Sequence, residues 1–98
     1  MRNQGRIRLM NHCGDQDIAT FEIATEAGIT VAQSALTEFL EKCIREHGKA
    51  LPVFRKRIND DSGFAPVPIE VNDNRVNISR QYIEDTEEFL LGYPLVGG

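Results

Sequence analysis

One long amphipathic helix is the feature that most constrains the fold of this 98-residue sequence. Between Thr30 and His47, apolar residues recur at the three- and four-residue spacing of a helical stripe, and Gly48 follows as a helix stop. Thr30 and Gln33 have the spacing of a capping box, so we predict that the helix begins at Thr30. The stripe needs a sheet to cover it, and a chain of this length has room for one core. We therefore expect an α+β domain with one main helix.

Two alternating segments precede the helix. Residues 5–12 alternate charged and apolar side chains, as a strand with one wet face does, and residues 17–26 alternate again. The residues between them, 13–16, favour a turn. We predict an antiparallel hairpin in which Phe21 and Ile23 face the core.

The segment after the helix is less regular. Residues 49–58 fit either a short strand or a helical turn, because Pro52 disfavours a long helix. Residues 59–63, with the sequence Asn-Asp-Asp-Ser-Gly, are typical of a turn. We expect an irregular crossover here, not a second long helix.

Three short strands are predicted in the last third of the chain. Two prolines place the strand at 66–71 on an edge, and a turn at 72–74 joins it to a strand at 75–78 as a small hairpin. The apolar run at 89–91 predicts the final strand. If the first and last strands pair in parallel through the helix crossover, the sheet is mixed, with four to five strands packed on one helix. No repeat or linker divides residues 1–98, so we expect a single domain.

The charge balance disfavours nucleic-acid binding. The chain has 11 Lys and Arg residues against 15 Asp and Glu, a net charge of −4, whereas a nucleic-acid surface is basic. An acidic surface suits a basic protein partner better. The one basic cluster, Arg55-Lys56-Arg57, is interpreted first as a solvated stretch, second as a partner contact and only third as a nucleic-acid contact.

Several kinds of motif are missing from the sequence. No apolar run reaches the roughly 20 residues that span a bilayer, and the N-terminus lacks a signal-peptide core, so we expect a cytoplasmic protein without a membrane partner. Neither cysteine nor histidine spacing fits a metal site, and no nucleophile–base pair or phosphate-binding loop is visible. We expect a protein that is not an enzyme and binds no metal or cofactor itself. Cys43 falls at a helical core position, whereas Cys13 lies in a turn and is a candidate free thiol.

The last residues have the features of a free tail. Pro94 ends the final strand because it has no N–H for the ladder, and residues 94–98 then form a short arm that ends in Gly97-Gly98. Glycine has no side chain, so two glycines let the arm enter a narrow slot and leave the terminal carboxylate accessible from both sides. A frayed terminus is the alternative interpretation. Because the sequence already ends in Gly-Gly, we expect that no processing is needed.

Three segments of the carboxyl third are similar to motifs of one known family. They are a Val-Asn turn between two strands at 69–76, an acidic turn and last strand at 85–91, and a proline-containing Gly-Gly tail at 92–98. With these motifs on the predicted order of elements, the sequence resembles the ubiquitin-like β-grasp family. It is most similar to the sulfur-carrier branch, which includes the molybdopterin synthase small subunit and the thiamine and cysteine biosynthetic carriers. It departs from that branch at Tyr93-Pro94, where many relatives have two prolines, and at Pro66-Val67-Pro68, an unusual entry to a strand.

The resemblance implies that this chain is a substrate of partner enzymes. An E1-like adenylating enzyme would use ATP to join the Gly98 carboxylate to AMP, with Gly97 giving clearance, and a sulfur nucleophile would leave a thiocarboxylate on Gly98. The carrier would then donate this sulfur to a biosynthetic enzyme. The expected docking contacts, about half of which strand alternation assigns to the core, are Phe89, Leu91, Tyr93, Pro94, Leu95 and Val96.

Two other functions stay open at this point. A prokaryotic ubiquitin-like modifier would share the fold, the tail and the activating enzyme, but would pass the activated glycine to a lysine amine. A β-grasp interaction module would use no tail chemistry, and deletion of Gly97 and Gly98 would then change nothing. Neighbouring genes for a biosynthetic enzyme would favour the carrier, and genes for conjugating and deconjugating enzymes would favour the modifier.

Overall fold

The order of elements was obtained from a computed structural model, which describes residues 3–11 and 14–92. Its one long helix, α1, spans Glu26–His47, and a short 3-10 helix spans Arg80–Tyr82. The seven strands are β1 (Gln4–Asn11), β2 (Gly14–Glu22), β3 (Val53–Arg57), β4 (Phe64–Pro66), β5 (Glu70–Asn72), β6 (Arg75–Asn77) and β7 (Thr86–Leu91). The predicted tail at 94–98, Tyr93 before it, His12 at the end of the first predicted strand and Cys13 in the predicted turn lie outside the described residues.

Five of the strands form one mixed sheet that packs on α1. The strand order is β2-β1-β7-β3-β4, and β5 and β6 make a separate hairpin. The first and last strands, β1 and β7, are parallel, whereas the other neighbours in the sheet are antiparallel. The predicted α+β class, the parallel pairing across the helix and the small hairpin are confirmed. The fold is β-grasp-like, with β7 in the middle of the sheet.

The core lies between α1 and one face of the sheet. The side chains of Phe89 and Leu91 on β7 are 0% exposed, and the Phe89 ring packs against that of Phe21, with 5.7 Å between ring centroids. From the helix, Leu36 and Leu40 fill the same core and are also 0% exposed. The prediction that Phe89 and Leu91 contact a partner was therefore wrong, because both side chains are enclosed within the domain.

The helix begins four residues before the predicted start. Thr25 is its N-cap, with an extended backbone, and its Oγ1 accepts a hydrogen bond from the Gly28 N–H at 3.0 Å. Gln33, which was predicted to close a capping box with Thr30, instead donates from Nε2 to the carbonyl oxygen of Ile78. The predicted end is confirmed, because Gly48 caps the helix with φ of 81°.

The remaining differences concern the ends of strands. The second strand begins at Gly14, not at residue 17. Residues 49–58, which fitted either a short strand or a helical turn, contain the strand β3. The strand predicted at 66–71 divides into the end of β4 and the start of β5, because Val67 turns inward and is 6% exposed. The Val67 N–H donates to the Val53 carbonyl at 2.8 Å, so this segment stays attached to β3 after β4 ends.

Gly28 allows the start of α1 to approach β2 closely. A Cβ added at Gly28 would lie 1.8 Å from the carbonyl oxygen of Glu22, which is backbone and has little freedom to move. Gly-to-Ala changes inside helices ordinarily stabilise by about 1 kcal/mol. We expect the opposite sign for Gly28→Ala, a lower free energy of unfolding in urea, because the clash forces α1 away from the sheet. Ser34→Ala, at an exposed position of the same helix, is the control and should be neutral or slightly stabilising; equal gains in both variants would contradict the packing described.

Candidate functional site

The end of β7 is where the described chain meets the predicted tail. Because β7 lies between β1 and β3, Gly92 leaves the sheet from its middle, not from an edge. The Gly92 N–H donates to the carbonyl oxygen of Pro52 at 3.1 Å, just before β3 begins. The roles assigned to Tyr93, Pro94, Leu95, Val96, Gly97 and Gly98 fall outside the described residues and stay predictions.

An apolar cavity opens beside this exit. It has a volume of about 300 Å³ and is lined by Met10, Phe54, Phe64, Leu90 and Gly92. These residues come from four neighbouring strands and from the position after β7. They lie on the open face, defined here as the face of the sheet opposite α1. A concave apolar site of this kind fits an apolar side chain of a partner.

Strand register brings the lining of the apolar cavity together. Phe54 on β3 lies opposite Leu90 on β7 and opposite Pro66 on β4, so the three strands present neighbouring side chains. Leu90 stands between Phe89 and Leu91 in sequence, and alternation along β7 turns it to the open face. Leu90 is 9% exposed and is absent from the core cluster under the helix, which agrees with this placement.

Sequence reasoning missed the residues that line the apolar cavity. The docking contacts predicted on β7 were Phe89 and Leu91 and did not include Leu90, although a period of two places Leu90 on the opposite face from its neighbours. Phe64 is 40% exposed, an unusual exposure for a large aromatic side chain, but its segment followed a predicted turn and gave no strand signal. Alternation along β7 was the signal that could have identified Leu90; no signal of comparable strength pointed to Phe64.

Charged side chains flank the apolar cavity on the open face. The Glu88 side chain is 9% exposed, and its carboxylate lies 3.0 Å from Arg8 Nε and 4.0 Å from Arg6 Nη2. On β3, Lys56 Nζ lies 3.6 Å from the Glu87 carboxylate. The open face therefore combines an apolar end near Gly92 with a charged end near the start of β7.

The predicted basic cluster does not form one continuous cationic surface. Arg55 Nη1 donates to the carbonyl oxygens of Gln81 and Glu84 at 3.3 and 3.2 Å, and the guanidinium stacks 5.6 Å from the centre of the Tyr82 ring. Burial lowers the pKa of Arg55, although arginine stays protonated at neutral pH. Arg55 thus holds the segment before β7 against β3, which differs from the predicted solvated role.

A second cavity lies at the opposite end of β7. It has a volume of about 380 Å³ and lies between the start of α1 and the segment that follows the 3-10 helix. Arg80 crosses it and bonds both Glu26 and Glu84, and the hydrogen bond from Arg80 lowers the pKa of the Glu26 carboxyl. Arg80 thus pairs with two of the three carboxylates that line the cavity, and these ion pairs connect the start of α1 to the segment before β7. We assign this cavity a structural role.

Within residues 3–11 and 14–92, no three His, Cys, Asp or Glu side chains lie close enough together to hold a metal ion. No helix in this part of the chain is both long and apolar enough to cross a membrane.

Cys43 is the cysteine within the described residues. It is partly buried on α1, and desolvation, followed by the charge of Glu46, raises the pKa of its thiol. Because the thiolate is the nucleophile, we expect iodoacetamide to alkylate Cys43 several-fold more slowly in the native protein than in urea at the same pH. A Cys13→Ser background isolates the measurement. Equal native and unfolded rates would contradict the burial described for Cys43.

Comparison of this chain with protein-family models, with curated proteins and with solved structures found no match in any of the three.

Proposed function

We propose that this chain is a sulfur-carrier protein, whose Gly98 carboxylate is activated by an E1-like adenylating enzyme and converted to a thiocarboxylate. The observation that supports the proposal best is the apolar cavity next to Gly92, immediately before the predicted tail. A partner that fills this cavity holds the domain by its open face and keeps the tail within its own reach. The β-grasp-like fold is the second support, because its last strand, β7, lies in the middle of the sheet and ends beside the apolar cavity.

The proposed chemistry belongs to the partners and uses only the terminal carboxylate of this chain. The Gly98 carboxylate attacks the α-phosphorus of ATP and pyrophosphate leaves, which gives an acyl adenylate. A persulfide sulfur then attacks the acyl carbon and AMP leaves. A thiol reduces the resulting acyl disulfide, so that one sulfur stays on Gly98 as a thiocarboxylate. The loaded chain then donates this sulfur to a biosynthetic enzyme.

In this proposal the chain is not an enzyme. It needs no metal or cofactor of its own, since ATP is bound by the activating partner. Requirements for ATP and for reduced thiols place the protein in the cytoplasm. Docking depends on the apolar cavity, with Phe64 and Leu90 taking the role that the sequence had assigned to Phe89 and Leu91.

The proposal is tested on protein purified from its own host without reducing agent, next to a variant that lacks Gly98. A free chain in which one oxygen is replaced by sulfur, absent from the variant, is the expected result. Adducts of higher mass joined through Gly98 would identify a lysine modifier instead. If both forms are absent, even after incubation with host extract and ATP, the result would contradict tail activation and favour an interaction module.

A further inference from the structure

Gly92 is held from two sides at the point where the tail begins. Its N–H donates to the Pro52 carbonyl oxygen at 3.1 Å on the β3 side of the sheet. On the β1 side, a Cβ added to Gly92 would lie 2.6 Å from the carbonyl oxygen of Met10. Both neighbours are backbone groups, so the position cannot adapt through the movement of a side chain.

The backbone of Gly92 also has a conformation that L-amino acids rarely adopt. Its φ is 122°, in the region that favours glycine. The contact with Met10 and the positive φ exclude an L side chain independently of one another. Gly92 also lines the apolar cavity, so the same residue belongs to the docking surface and to the exit of the tail.

We infer that Gly92 is a positioning residue, which fixes the direction in which the tail leaves the sheet and so brings Gly98 to the activating enzyme. This inference rests on the proposed function. Six residues, 93–98, follow Gly92 in the sequence and make up the arm of this proposal. A fully extended arm of that length reaches about 20 Å. The partner must therefore hold its ATP within about 20 Å of the group that enters the apolar cavity.

The inference is tested by the fraction of chain carrying the Gly98 thiocarboxylate in the host. Gly92→Ala is compared with wild type and with Gly48→Ala, a matched control. Gly48 also has a positive φ, 81°, but a Cβ there would meet nothing within 4 Å, and the site lies at the end of α1, away from the tail. Thermal unfolding of each variant identifies the temperature at which all three are folded.

A semisynthetic chain with D-alanine at position 92 separates the effect of the backbone direction from the effect of the added methyl group. A D-residue favours positive φ, and its methyl group replaces the other Cα hydrogen, away from the direction that meets Met10. This chain and its L-alanine counterpart are incubated in host extract with ATP, and loading is measured by mass. The comparison stays informative when Gly92→Ala is too unstable to accumulate in cells.

The expected result is that Gly92→Ala lowers loading about tenfold or more, that Gly48→Ala does not, and that D-alanine restores it. Loading of Gly92→Ala at the wild-type level would overturn the inference. So would equally poor loading with D-alanine, because any side chain at position 92 would then be harmful whatever the direction of the backbone. An unloaded wild-type chain would instead refute the proposed function itself.

Discussion

Replacement of Phe89 by alanine is expected to lower the free energy of unfolding by about 3–5 kcal/mol. The ring is 0% exposed, lies on the central strand β7 and packs against Phe21 at 5.7 Å, so its removal leaves a cavity between the sheet and α1. Domains of this size are ordinarily stable by about 5–15 kcal/mol, so the loss is a large part of the total. Urea denaturation followed by circular dichroism measures it.

Phe64→Ala is the matched control for stability. The Phe64 side chain is 40% exposed on the edge strand β4, so its truncation should change the free energy of unfolding by no more than about 1 kcal/mol. Equal losses for Phe89→Ala and Phe64→Ala would contradict the assignment of one ring to the core and the other to the open face.

The same Phe64→Ala variant is expected to reduce function strongly, although it changes stability little. Removal of this ring opens one wall of the apolar cavity, and aromatic anchors at interfaces commonly contribute 2 kcal/mol or more, which corresponds to about a thirtyfold change in affinity. We therefore expect thiocarboxylate formation in host extract, at limiting concentrations of the chain, to slow by at least about tenfold. The readout is the rate at which the loaded mass appears after ATP is added.

Val71→Ala is the matched control for function. Val71 is an apolar residue of comparable exposure, 48%, but it lies on the separate β5–β6 hairpin. Its truncation should leave the rate of loading unchanged. Equal slowing in Val71→Ala and Phe64→Ala would contradict docking through the apolar cavity, and so would an unchanged rate in Phe64→Ala.

The central features of the fold could be predicted from the sequence because each has a strong local signal. The apolar stripe on the helix and Gly48 after it predicted both the presence and the end of α1, and the structure confirms both. A single helix of this length needs one sheet, and a helix between the first strand and the last favours a parallel pair. The pairing of Ile7 with Phe89 in β1 and β7 confirms that step.

The start of the helix was predicted too late, because Thr25 falls within the alternating segment at 17–26 that predicted a strand. The capping-box spacing of Thr30 and Gln33 then favoured Thr30 as the start. Contacts with other elements set the start of the helix: Gln33 donates a hydrogen bond to the Ile78 carbonyl oxygen, and Gly28 packs on the backbone of Glu22. Contacts of this kind depend on the assembled fold and leave no trace in local spacing.

The position of the candidate site was predicted more accurately than the residues that form it. The sequence directed attention to the strand before the tail, but Phe89 and Leu91 belong to the core, and Leu90 between them lines the apolar cavity. Phe54 and Phe64 are distant in sequence from β7, and they reach the site only through the register of β3 and β4. A sheet surface assembled from separate strands has no sequence motif of its own.

The most direct test of the sulfur-carrier proposal is the mass of the C-terminal tryptic peptide from protein isolated from its own host. Trypsin cleaves after Arg80, and residues 81–98 hold no Lys, Arg, Met or Cys, so oxidation of methionine or cysteine cannot imitate the gain of sulfur. The proposal predicts that this peptide carries sulfur in place of one oxygen, with fragmentation placing it on Gly98. A peptide found only with an unmodified Gly98 carboxylate, in cells and after ATP-dependent incubation, would contradict it.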